Sequence, residues 1–286
     1  MSEDFQRRVV SEKDVPPHIK SRIQQMQREH DQWARLSGKI EDVIYVDNLR
    51  NEAEAGNVKS QLRYAYICMY GLFDAVVSHS TAVTYFTLAA NAGNAEAQAR
   101  LGDCYFDGTV VNQDYSEAVK WYRKSSNQGN SDAKTFLAIC YQNGHGVYKD
   151  MTTAIKLYID AANAGDPLAQ FNLSDCYALG EGVSENMSES IKWLKKSAEQ
   201  NFSPAQTVLA MLYIQGDGIE QNFNKGFELL NKAVAQDDVD AIAFLGALYC
   251  KGIGVSKNQS KGLKLLNQAA DRGSEEAIAM LEQIGY

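Results

Sequence analysis

The chain has 286 residues, 45% of them hydrophobic and 22% charged, with a formal net charge of −8. This is enough apolar material for a folded core, and the acidic balance argues against a nucleic-acid binder, which shows a basic face. No apolar run approaches the roughly 20 residues needed to span a bilayer, and the basic residues of the N-terminus are not followed by the apolar segment of a secretory signal.

In chain order, residues 1–16 read as a disordered terminus. Residues 17–57 read as a divergent N-terminal helix pair. Pro16-Pro17 precedes a helix with Ile19, Ile23, Met26, Trp33 and Leu36 on or near one face, and Gly38 ends it. A second helix over about 40–55 closes with Ala53-Glu54-Ala55-Gly56. Two roles stay open for this pair: a cap on the chain downstream of it, or an arm that binds a partner.

From residue 58 onward the sequence repeats. Tyr105, Tyr141, Tyr177, Tyr213 and Tyr249 are 36 positions apart, and the same step links Ala97, Ala133, Ala169, Ala205, Ala241 and Ala277. A fixed period in this range marks a solenoid, in which each unit buries its apolar face against its neighbours. The unit 94–129 predicts two helices. Asn94, Asn130, Asp166, Asp238 and Ser274 stand where the first helix needs an N-cap acceptor, with Phe202 as the exception. Gly108, Gly144, Gly180, Gly216 and Gly252 end that helix. An apolar residue (Val111, Val147, Val183, Ile219, Val255) tucks the following loop inward, and Asp114, Asp150, Asn186, Asn222 and Asn258 cap the second helix. Six units run from 58 to 273. In the first of them Leu72–Val77 replaces the glycine loop, and residues 274–285 form a last, capping helix.

This pattern, A-x-x-x-L-G-x-x-Y-x-x-G-x-G-V followed by D-x-x-x-A-x-x-W-Y-x-x-A-A-x-x-G, resembles the Sel-one-like repeat, a relative of the tetratricopeptide repeat. The resemblance covers 58–286. It implies an all-α fold, a right-handed α/α superhelical solenoid of 36-residue helix-turn-helix repeats whose first helices line a concave face. It also implies a protein–protein interaction scaffold or adaptor without a catalytic site. Bacterial members of the family engage host or envelope partners, so an effector or immunity role is the alternative, with an enzyme or small-molecule binder a remote third.

Four of the five cysteines, Cys68, Cys104, Cys140 and Cys176, lie on the 36-residue ladder, where Leu212 and Leu248 follow. A position that accepts Cys or Leu is a packing position, and helix axes 8–10 Å apart do not favour a disulfide between neighbours. The expectation is reduced thiols and a cytoplasmic protein, with signal-less export to a host cell as the other route. The four His are scattered, no zinc or nucleotide-binding motif occurs, and no cofactor is expected.

Alignment with the tetratricopeptide repeat places concave positions six and three residues before the small residue of the first helix (Gly102 and its equivalents), and one, four and five after it. The partner-binding residues expected on this basis are Asp103 and Asp107, then Ile139 and Asn143, then Phe171, Asp175 and Leu179, then Met211, Ile214 and Gln215. The groove is expected to be acidic at one end and apolar in the middle, and to hold a protein or peptide. Packing between adjacent helices is the competing reading for its apolar members.

Overall fold

The computed structural model describes residues 19, 23, 25–28, 42–73 and 75–284. The expected disordered stretch 1–16 and the Trp33–Gly38 helix end lie outside the described residues. Described residues are helical or in short connections, with no strand among them. Ile19, Ile23 and residues 25–28 are helical. After them come fourteen helices: α1 (Asp42–Glu54), α2 (Val58–Tyr70), α3 (His79–Asn91), α4 (Ala95–Asp107), α5 (Tyr115–Ser126), α6 (Ser131–Asn143), α7 (Met151–Asn163), α8 (Pro167–Leu179), α9 (Met187–Glu199), α10 (Ser203–Gln215), α11 (Phe223–Ala235), α12 (Val239–Lys251), α13 (Gln259–Ala270) and α14 (Glu275–Ile284). From α2 on, helices alternate as first and second members of a pair. They divide between two compact units, 1–160 and 161–286.

The local chemistry of each pair is the one the repeat dictates. The side chains of Asn94, Asn130, Asp166 and Asp238 accept from the backbone N–H three residues on, at 2.7–2.9 Å. The Ser274 hydroxyl does the same for Ala277 at 3.2 Å, and Phe202 makes no such bond. Gly216 illustrates how a first helix stops. Its φ is 77°, and its N–H closes onto the Leu212 carbonyl. An L side chain is strained in that left-handed region, so the chain leaves the helix there and turns into the loop. Asp114, Asp150, Asn186, Asn222 and Asn258 then cap the second helices.

In the first unit one core runs from the N-terminal helix into α4. It contains Ile19, Met26, Tyr45, Leu49, Tyr66 and Phe86. Gly71, at φ 63°, still ends the first helix of that repeat, and Leu72, Phe73 and Ala75 of the irregular loop pack onto the core. In the second unit the pairs α8/α9, α10/α11 and α12/α13 pack in turn, and α14 closes onto α13. Pairs come close where a side chain is missing. A Cβ on Gly226 of α11 would meet Ile214 Cγ1 of α10 at 2.5 Å.

A ladder of buried glutamines holds successive pairs in register. Gln98, Gln170 and Gln206 each donate to the carbonyl eight residues earlier, on the preceding second helix, at 3.0–3.3 Å. Each in turn accepts from Gln128, Gln200 or Gln236, thirty residues later. These bonds give helix-end carbonyls a second, side-chain donor beside the backbone N–H that closes the helix. The cysteines are all free and buried. Burial pushes the thiols of Cys104 and Cys140 up to about 12 and that of Cys176 up to about 11, as suits packing groups.

Candidate functional site

The groove-facing stripe of a first helix is set by helical spacing. Residues at i, i+3, i+4 and i+7 share one face. In α10 that face is Pro204, Thr207, Val208 and Met211; in α12 it is Asp240, Ala243, Phe244 and Ala247. In α14 it is Glu276, Ala279, Met280 and Gln283. The three stripes lie side by side. With Phe171 of α8 and Leu266 of α13 they enclose a groove of about 560 Å³. The Phe171 ring leans on Phe202, 5.7 Å between centroids, which fixes one wall. Asp240 and Glu276 supply the charge of the lining, and both are acidic. Partial burial, then Asp238 and Glu276, raise the carboxyl of Asp240 above its ordinary value.

On α4 of the first unit the same repeat position carries different chemistry, whereas Phe136 of α6 matches Phe244. Arg100 stands where Val208 and Phe244 stand in the second unit, and it is only 3% exposed. Its guanidinium lies 2.9 Å from Asp103 and 2.8 Å from Asp132. Burial alone would lower its pKa, but Asp103, Tyr66 and Asp132 outweigh that, and the net shift is upward. Tyr122 donates to Asp103 and Tyr66 to Glu96, each at 2.8 Å. A cavity of about 390 Å³ adjoins this network, lined by Arg100, Asp103, Asp107, Phe136 and Tyr70, with Ile19 of the N-terminal helix among its walls.

The residues expected at the interface therefore separate. Phe171 and Met211 face the second unit's groove, and Asp103 and Asp107 face the first unit's cavity. Ile139 is half-buried on α6; exposed Asn143 donates to the Ile139 carbonyl. Asp175 is half-buried, and burial, then Glu181, pushes its carboxyl up to about 6. Ile214 is corrected: it is 3% exposed and belongs to the core between α10 and α11, because the position four after the small residue turns toward the second helix. Leu179, 69% exposed, and exposed Gln215 end their helices outside the groove lining. What the alignment missed is the position two before the small residue, where Val208, Phe244 and Met280 are 36 apart. The i, i+3, i+4, i+7 rule alone would have found it.

Among the described residues no group of three or more His, Cys, Asp or Glu is placed to hold a metal ion, and no helix is long and apolar enough to cross a membrane.

Six consecutive units match the Sel1 repeat over 58–94, 95–130, 131–166, 167–202, 203–238 and 239–274. The chain belongs to the Sel1 repeat family. Its fold is the all-α solenoid of that family. A protective antigen of uropathogenic Escherichia coli with an SLR fold is 30% identical, with a TM-score of 0.65, over 81% of this chain and 50% of that one; the chain thus spans half of the antigen's length. A Sel1 repeat protein from Oxalobacter formigenes is 27% identical over 80% of this chain and 99% of its own, with a TM-score of 0.71. An immunity protein from Pseudomonas aeruginosa shares the fold at 17% identity and a TM-score of 0.53, over 77% and 83% of the two chains. No curated protein sequence matches.

Proposed function

We propose that this Sel1 repeat protein is a non-catalytic scaffold that binds a protein or peptide partner along the first-helix face of its second unit. One observation carries this reading: three successive stripes of small and apolar side chains, Val208, Met211, Phe244, Ala247 and Met280 among them, form a continuous open groove. A half-exposed apolar groove of this kind suits an interaction site, and a solenoid offers such a strip to elongated partners. Adaptor and immunity roles both use a groove of this form; the fold shared with an immunity protein makes the second a specific alternative. A cytoplasmic setting suits the reduced, buried thiols.

Affinity capture from the native organism with the wild-type protein and with Met211→Asp plus Ala247→Asp, read by mass spectrometry, tests the proposal. Both sites lie on the groove lining, so the variant keeps its helical signal and loses the partner. Retention of every wild-type partner by the folded variant would place the binding surface elsewhere.

A further inference from the structure

The first unit shows what this face accepts. Its cavity is walled partly by the chain's own N-terminal helix, through Ile19. Ile19 is 4% exposed and Met26 2%, and Ile23 packs half-buried against the same core. These three residues stand at i, i+4 and i+7, one face of an α-helix. Ile19 shares its cavity with Arg100, Asp103, Phe136 and Phe86. Arg100, Asp103 and Phe136 stand three repeats before Val208, Met211 and Phe244 of the second unit's groove. There the equivalent face is open and more apolar, and its charged lining is Asp240 and Glu276 alone.

Resting on the scaffold reading above, we propose that the partner of the second unit is an amphipathic helical segment with aliphatic side chains at i, i+4 and i+7 and Lys or Arg beside them. The aliphatic side chains enter the Val208, Met211 and Phe244 groove as Ile19 lines the first unit's cavity. The basic side chains meet Asp240 and Glu276, which have no cation in the groove lining to pair with. Helix-in-groove recognition reads such anchors, and the acidic rim sets the sign of the partner's charge. An extended apolar peptide would satisfy the volume and leave both carboxylates unmatched. A second copy of this chain is a different occupant, and the chain's oligomeric state in the assay separates it.

The probe is a labelled 14-residue peptide with the sequence of residues 17–30, which places Lys20, Arg22 and Arg28 around Ile19, Ile23 and Met26. It is titrated into the full-length protein by fluorescence anisotropy. Saturable binding is expected, weakened about tenfold or more by Met211→Asp in the protein or Ile23→Asp in the peptide, the scale of losing one anchor. Asp240→Lys with Glu276→Lys weakens the parent peptide and restores binding of a peptide carrying Lys20→Glu, Arg22→Glu and Arg28→Glu. Absence of saturable binding, or binding indifferent to these changes, overturns the proposal. If partner capture still depends on Met211 in that case, the scaffold reading stands and only the helix-and-base chemistry falls; if capture is also indifferent, both fall.

Discussion

One repeat position separates α4 of the first unit from α10 and α12 of the second. In α4 it holds Arg100, sealed at 3% exposure among Asp103, Asp132, Tyr66 and Tyr122, while α6 of the same unit holds Phe136. In the second unit it holds Val208 and Phe244, side by side on an open groove. The backbone is the same 36-residue unit in both places. Where the first-helix stripe borders the chain's own N-terminal helix, charge is bound up in an internal network; where it is open, charge is confined to Asp240 and Glu276 and the remainder is uncharged. Side-chain choice on one repeat unit thus gives α4 a buried ion-pair network and α10 an open, partly apolar face.

The comparison breaks most visibly at Arg100. Arg100→Ala leaves Asp103 and its neighbours without their cation, and removing one partner of a buried pair costs about 3–5 kcal/mol. Val208→Ala, at the same repeat position in an open groove, should cost under about 1.5 kcal/mol. Urea denaturation of both variants checks this, and equal losses would mean that the two faces are equally buried. The next effect is smaller. Gly216→Val forces a β-branched residue to φ 77°, strain of about 1–3 kcal/mol, while exposed Glu199→Ala should stay within about 0.5 kcal/mol. Similar melting shifts for the two would deny the glycine its role as the helix stop.

Asp175 gives the smallest effect, with a sign set by pH. Burial raises its carboxyl from 3.8 to about 6. Between those values the folded protein binds a proton that the unfolded chain has released, so stability falls as pH rises from 4 to 6. Asp175→Asn removes that loss: it should stabilise the protein at pH 7.5 by about 1 kcal/mol, after discounting for the group's partial exposure to solvent, and change little at pH 3.5. A stabilisation equal at both pH values would trace to packing instead.

Most of this fold was legible in the sequence. Caps, glycine stops and the period each rest on local chemistry, and Asn94, Gly216 and Asn258 behave as isolated sequence rules require. The groove was legible only in part. Phe171 and Met211 were recognisable, whereas Ile214 was drawn into the core by the small residue Gly226 across from it, twelve residues later in sequence. Arg100 shows the limit differently. Its partners Asp103 and Asp132 come from two helices, and nothing local marks that they converge. The glutamine ladder was equally hidden, because Gln98 reads as a solvated helix residue until the preceding pair is stacked against it.

The most direct test uses the methionine methyl groups, which already report on both faces. Met211 and Met280 line the second unit's groove; Met69 lines the first unit's cavity, and Met26 is buried in the core beside it. Methyl NMR spectra of methionine-labelled protein, titrated with the 17–30 peptide, should shift Met211 and Met280 and leave Met26 and Met69 in place. Shifts confined to Met26 and Met69, with Met211 and Met280 unmoved, would contradict the assignment of recognition to the open face.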